Sequence, residues 1–362
     1  MKIDLRQFAI LMLVVISSFI SSCSRPGSGD SYIDSLGLDE IVIEPAQSIN
    51  LEDWNILKVN SFAVFGDWVA IRGADKRYAV SLLNLQTGEN FGLAWRGRGP
   101  GEFVNPIGFD RKDSTLIIYD AASKVMVSID IHKSSEKRIP VYDTLLIASP
   151  PVPPILKPHR LKSGMYITSA FSEEDHAWYG LRDSTGYLVA SVLAPNFEPL
   201  QNMDANHYLS FVASSLYTSH PSGKKVCVAS LMSAAISFSG IEENDLKEYH
   251  REEYNPPQIK NTASGTRMEG FTDGFEGLQS NDKYVYALYS GKKVENLKDD
   301  ITQARDCDYL IVYDWDADPV YLLRLQIPAY SISLSGDKLY ALSNNPNLTM
   351  HIYKVPDFTV SR

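Results

Sequence analysis

GDWVAIRG at Gly66–Gly73, followed by RYAVSLLNLQTGE at Arg77–Glu89, is the stretch on which the fold turns. A turn leads into a short apolar run. A second turn leads into an alternating run that ends on another polar turn. Val, Ile, Leu and Tyr in alternation describe strands with one face buried, not the period of about 3.6 that marks a helix. The unit recurs. KDSTLIIYD (Lys112–Asp120) is followed by KVMVSIDI (Lys124–Ile131). KSGMYITSAF (Lys162–Phe171) is followed by AWYGLRDSTGYLVASVL (Ala177–Leu193). FVASSLYTSHPSGKKVCVASLMSAAISFS (Phe211–Ser239) holds a fourth copy. NDKYVYALYSG (Asn281–Gly291) with DYLIVYDWDADPVYLLRLQI (Asp308–Ile327) is the fifth, and SGDKLYALSN (Ser335–Asn344) with MHIYKV (Met350–Val355) is the sixth.

Anchoring each copy on its turn-then-apolar step gives Trp68, Thr115, Met165, Val226, Tyr284 and Leu339, at intervals of 47, 50, 61, 58 and 55 residues. Those intervals suit four-stranded antiparallel propeller blades, each of which buries its apolar faces against its neighbours. The expected fold is therefore all-β, a six-bladed β-propeller over residues 39–362. A pair of β-sandwiches or a jelly roll is the rival architecture, and the ambiguous Ile43–Phe65 stretch leaves room for a seventh or eighth blade. An early strand, EIVIEP at Glu40–Pro45, is expected to complete the last blade and close the ring. Glu242–Tyr254 and Glu295–Asp306 read as short helices or long hairpin loops. PPVPPILKP at Pro150–Pro158 reads as a stiff connector.

Residues 1–22 read as a bacterial lipoprotein leader: Lys2 and Arg6, then the apolar Phe8–Ile20, then Ser21, Ser22 and Cys23. The apolar run falls short of the ~20 residues that a spanning helix needs. Small residues directly before a cysteine resemble a lipobox, with Ile20 where leucine is usual. That resemblance implies cleavage before Cys23 and lipid attachment there, which holds a protein stably on a membrane. Residues 23–38, beginning CSRPGSGDSY, read as a flexible tether. The expected location is the cell envelope, at the periplasmic face or the cell surface.

RGRGPGEFVNPIGF, Arg96–Phe109, is the most specific motif. Glycine permits positive φ and close approach, while Pro100 fixes its own φ. Phe103 is placed to plug a gap between blades, and Pro106 to start the next innermost strand. The spacing is not GxGxxG, so a nucleotide cradle is not indicated. The motif resembles the loop of NHL-type propeller repeats, and more closely the GPGEF segment of the six-bladed, TolB-like propeller lipoproteins of Bacteroidetes. The resemblance implies a lipid-anchored, exported six-bladed propeller and supplies no catalytic residues. A loop between an outer strand and the next inner strand crosses the face beside the channel. Arg96, Arg98, Glu102 and Asn105 are therefore candidate ligand-binding residues, with either arginine able to grip a carboxylate or phosphate.

The chain carries 34 Lys and Arg against 44 Asp and Glu, a net charge of −10, which argues against nucleic-acid binding. Zinc-protease, serine-hydrolase-elbow, Walker and EF-hand motifs are missing. The seven histidines are scattered. His176 and His207 read as polar turns, and Trp68, Trp95, Trp178 and Trp315 as blade packing or sugar-stacking faces. Cys227 and Cys307 are either bridged or free thiols. The leading functional expectation is a non-catalytic binding or scaffolding module for an envelope protein, peptide or glycan, with no cofactor. The alternative is a calcium-dependent hydrolase or lyase in the central channel, with Asp110, Asn105 and Glu102 as oxygen donors. Carbohydrate capture is a third reading.

Overall fold

The turn-bounded alternating runs become strands. The computed structural model describes residues 30–146, 158–170, 176–201, 203–262, 265–294 and 305–356. The leader residues 1–22 and Cys23 lie outside them, as do most of Pro150–Pro158 and Glu295–Asp306. Contacts divide the chain into Met1–Gly37 and Leu38–Arg362. In the first unit, one helical turn, α1 (Ser31–Ser35), forms within the stretch expected to be a tether. Asp30 caps it by accepting a hydrogen bond from Tyr32 N at 2.8 Å.

The second unit begins with β1 (Glu40–Ile43) and β2 (Gln47–Asn50). Six antiparallel groups follow. Blade 1 is β3 (Ser61–Phe65), β4 (Trp68–Arg72), β5 (Tyr78–Asn84) and β6 (Asn90–Trp95). Blade 2 is β7 (Pro106–Lys112), β8 (Thr115–Asp120), β9 (Val125–Asp130) and β10 (Tyr142–Leu146). Blade 3 is β11 (His159–Arg160), β12 (Tyr166–Ser169), β13 (Ala177–Arg182) and β14 (Leu188–Leu193). Blade 4 is β15 (Ser215–Ser219), β16 (Lys225–Ser230), β17 (Ala234–Glu242) and β18 (Asp245–Tyr254). A hairpin, β19 (Gln258–Thr262) and β20 (Gly265–Thr272), then precedes blade 5. That blade is β21 (Phe275–Ser280), β22 (Tyr284–Tyr289), β24 (Cys307–Asp314) and β25 (Pro319–Ala329), with the short β23 (Lys293–Val294) pairing β20 instead. Blade 6 is β26 (Ser331–Ser335), β27 (Lys338–Ser343) and β28 (Thr349–Lys354).

The ring closes one strand later than expected. β1 does not complete blade 6. It runs parallel to β25, from Glu40 opposite Leu322 to Ile43 opposite Leu325, as a fifth strand on blade 5. β2 is the closing strand, antiparallel to β28 from Gln47 opposite Ile352 to Asn50 opposite Thr349. Burial explains the choice. Ile41 and Val42 stay exposed, whereas Ile49 joins Phe62, Val64, Tyr340 and Met350 in the core between blades 6 and 1. Glu242–Tyr254 is likewise neither a helix nor a loop. Most of its charges sit on the outer strand β18, where Arg251 pairs with Glu248 at 2.7 Å and Glu253 at 3.0 Å.

The inner strands β3, β7, β15, β21 and β26 touch around the axis. Small hydroxyls stitch them: Val64 N donates to Ser333 Oγ (3.1 Å), and Ser280 Oγ donates to the Ser219 carbonyl (3.0 Å). Between blades, apolar side chains interdigitate, and buried polar tips find partners. Tyr179 OH meets Ser237 Oγ and Ser239 Oγ, and Trp178 Nε1 donates to Ser215 Oγ.

Candidate functional site

Every blade starts at its inner strand, so all inner strands begin on one face of the ring, where the loops after each second strand also lie. A cavity of about 810 Å³ opens there. Its wall takes Ser61, Ile107, His159, Ser215, Glu276 and Ser331 from six different inner strands, with Arg72, Leu231 and Asn344 from the ends of second strands. Three insertions rise from the same face. α2 (Ile131–Lys137) is not among them, because it follows β9 on blade 2's periphery. The insertions are α3 (Glu198–Gln201) with α4 (Ala205–Ala213), the β19–β20 hairpin, and β23. They share one core: Tyr208, Phe211 and Val212 of α4 pack with Met268, Phe271 and Val294.

Two charged clusters sit in the cavity wall. His159 bridges three blades, with Nδ1 at 2.8 Å from Asp110 Oδ2 on β7 and Nε2 at 2.9 Å from Ser219 Oγ on β15. Asp110 Oδ2 is buried and receives no well-aligned hydrogen bond, so this is a close contact rather than a directed one. The connectivity is that of a Ser–His–Asp relay. Ser219, however, lies within a regular antiparallel pair opposite Val226, not on the sharp turn that presents a nucleophile, and the contacts tie blades 2, 3 and 4 together. On the other side, Asp273 is only 4% exposed and hydrogen-bonds to the side chains of Glu276 and Ser290. Burial, then the Glu276 charge, pushes its carboxyl up to about 8, opposed by Arg305. Arg305 Nε stands 3.3 Å from Glu276 Oε1. The Asp273 carboxyl is thus held protonated well above the ordinary carboxylate range.

The TolB-like 6-blade propeller-like family description matches residues 54–335. The chain belongs to this family. Among solved structures, a member of the DUF4221 family from Bacteroides vulgatus superimposes with TM-score 0.52 at 10% identity, over 85% of this chain and 95% of that one. A protein of Bacteroides fragilis described as exported gives TM-score 0.44 at 12% identity, covering 88% of this chain and 100% of that one. The calcium-binding protein regucalcin from Agrobacterium tumefaciens gives 0.47 at 11% identity, over 87% and 97%. At such identities the likeness is one of fold. No curated protein matches the sequence.

In this TolB-like propeller the glycine-rich motif is held partly by its own bonds. Glu102 folds back so that its Oε2 accepts from Gly99 N at 2.8 Å. A side chain at Gly97 would place its Cβ 1.8 Å from that carboxylate, and Gly101 has φ +76°. Phe103, 2% exposed, joins Phe65, Leu82, Leu116 and Val127 in the core between blades 1 and 2. Arg96 donates from Nε to the Tyr78 carbonyl (3.2 Å), Arg98 is exposed, and the Asn105 backbone is fixed at both ends. None of Arg96, Arg98, Glu102 and Asn105 lines the cavity, although Arg96 acts electrostatically on Arg72, which does. Asp110, Asn105 and Glu102 do not converge, and among the described residues no group of three or more His, Cys, Asp or Glu is placed to hold a metal ion.

Sequence reasoning missed Asp120, which is 1% exposed and accepts backbone hydrogen bonds from Val104, Asn105 and Ala122 at 2.7–3.0 Å. An aspartate ending a strand of otherwise apolar residues was its only signal. His207 is not in a turn: it lies in the first turn of α4, with Nδ1 2.6 Å from the N-cap Asp204. Trp178 and Trp315 are buried, Trp68 packs edge-on against Phe91, and Trp95, 52% exposed, leans on Tyr78.

Proposed function

We propose that this chain is a lipid-anchored envelope module that works by binding, holding a protein, peptide or glycan segment at the mouth of its channel. One observation carries the reading. The cavity gathers side chains from six inner strands, mixes charged, amide and aromatic groups, and lies on the face where the insertions rise. Ligand sites of this size usually combine apolar walls with a few convergent polar groups. The anchor follows from Ser21-Ser22-Cys23 and the apolar run before them. Among the described residues no helix is long and apolar enough to cross a membrane.

The test isolates the full-length protein from its native envelope in mild detergent and identifies co-purifying molecules by mass spectrometry. A stoichiometric partner that is lost on Gln279→Ala or Arg305→Ala in the cavity wall, and kept on Arg98→Ala, supports the reading. A protein that emerges alone, or a partner indifferent to the cavity variants, sinks it. Palmitate incorporation abolished by Cys23→Ala tests the anchor separately.

A further inference from the structure

Arg72 ends β4 and lines the cavity, and Arg96 follows β6 above the seam between blades 1 and 2. Their side-chain hydrogen bonds go to neutral acceptors. Arg72 donates from Nε to Ser61 Oγ (2.8 Å) and from Nη1 to the Pro106 carbonyl (3.1 Å). Arg96 donates from Nε to the Tyr78 carbonyl. The acids nearby in sequence are committed elsewhere: Asp75 to Arg77, Glu102 to Gly99 N, and Asp120 to three backbone amides. Among the described residues no ion pair involves Arg72 or Arg96, so Nη2 of Arg72 and both terminal nitrogens of Arg96 remain unused.

Arg72 ends β4 and Arg96 follows β6 of the same blade, both on the face where the inner strands begin, so their like charges oppose each other. Burial, and then the Arg96 charge, lowers the Arg72 pKa. Lys58 adds a third positive group to the same rim. The carboxylates that share the cavity already face positive or titratable partners, Glu276 with Arg305 and Asp110 with His159. In a chain of net charge −10, this local excess runs against the overall balance. An oxyanion converts the repulsion into attraction, and the planar fork of arginine matches a carboxylate or phosphate.

We propose that Arg72 and Arg96 form an oxyanion site at the channel mouth, which takes a carboxylate or phosphate group of the molecule that the cavity holds. The proposal rests on the channel-mouth reading above and adds the chemistry of the ligand.

The test is calorimetric titration of the full-length protein in detergent at low salt with D-glucuronate, inorganic phosphate and, as the neutral control, D-glucose. At least one anion is expected to bind about tenfold or more tightly than glucose and to weaken as salt rises. The preferred anion tells carboxylate from phosphate. Arg72 also braces Ser61 and Pro106, so Arg96→Gln is the decisive variant. With its melting temperature unchanged, it should lose about tenfold or more in anion affinity. Anion binding indifferent to Arg96→Gln overturns the proposal, as does no anion binding at millimolar concentration. Glucose binding equal to glucuronate, with both lost on Gln279→Ala, overturns the oxyanion site and leaves the cavity reading standing. No binding by any probe, together with no partner in the isolation experiment, fails both.

Discussion

Asp120 shows how one side chain organises a loop that the glycines only permit. Its carboxylate collects the amides of Val104, Asn105 and Ala122, which would otherwise lack acceptors where the chain turns into blade 2. Asp120→Ala is expected to cost about 3 kcal/mol in urea denaturation, because charge-assisted bonds are lost and their donors stranded. Arg98→Ala, at an exposed position, should stay within about 0.5 kcal/mol. Equal effects from the two would refute the structural role assigned to Asp120. Asp273 makes a different prediction. Its carboxyl is neutral in the fold up to about 8 but ionises in the unfolded chain in the ordinary carboxylate range near 3.8. Between these values the native state binds the extra proton. The stabilisation is therefore fully present below the ordinary range and is lost as pH rises through the folded value. Denaturation midpoints measured across that window should fall less with pH for Asp273→Asn than for the parent chain. An unchanged slope would mean that the carboxyl is not held neutral.

At the scale of elements, the six anchor residues of the sequence pattern all fall at the second strand of a blade, Met165 standing just before β12. Strand identity was legible because alternation is a local property of half-buried strands. Register at the ring closure was not. EIVI and QSIN lie four residues apart, and EIVI has the stronger strand composition. The distant edges available to each decided the outcome: β25 accepts β1, and the seam between blades 6 and 1 needs Ile49. A chain starting at Leu51 should therefore lose its cooperative melting transition, since it leaves the outer edge of β28 without its partner β2. Within the full chain, Ile49→Ala should cost about 2–4 kcal/mol by denaturation. A Leu51 start that melts like the parent would show that β2 does not close the ring. The insertions were equally hidden. α4 is one nine-residue helix, and the β19–β20 hairpin resembles the blade strands around it in pattern.

For the whole molecule, burial sets the chemistry of the thiols. Cys227 and Cys307 are both free and fully buried, and burial pushes both thiols well above their ordinary value. The native protein should give no reaction at either position with a thiol reagent, and the denatured protein should react at both. Its melting temperature should not respond to reductant. Reaction of only one, or a reductant-sensitive melt, would contradict this packing. By itself the sequence determined the strands, their sixfold recurrence and Phe103 as the plug between two blades, because alternation, turn residues and a lone large apolar side chain act over a few neighbours. Only the tertiary structure decided which strand closes the ring, that Arg72 shares the motif's face, and that Asp110, His159, Ser215, Glu276 and Arg305 surround one cavity. Those residues come from four blades and lie up to 195 positions apart. Their convergence depends on how the blades pack around an axis, and no local pattern encodes it.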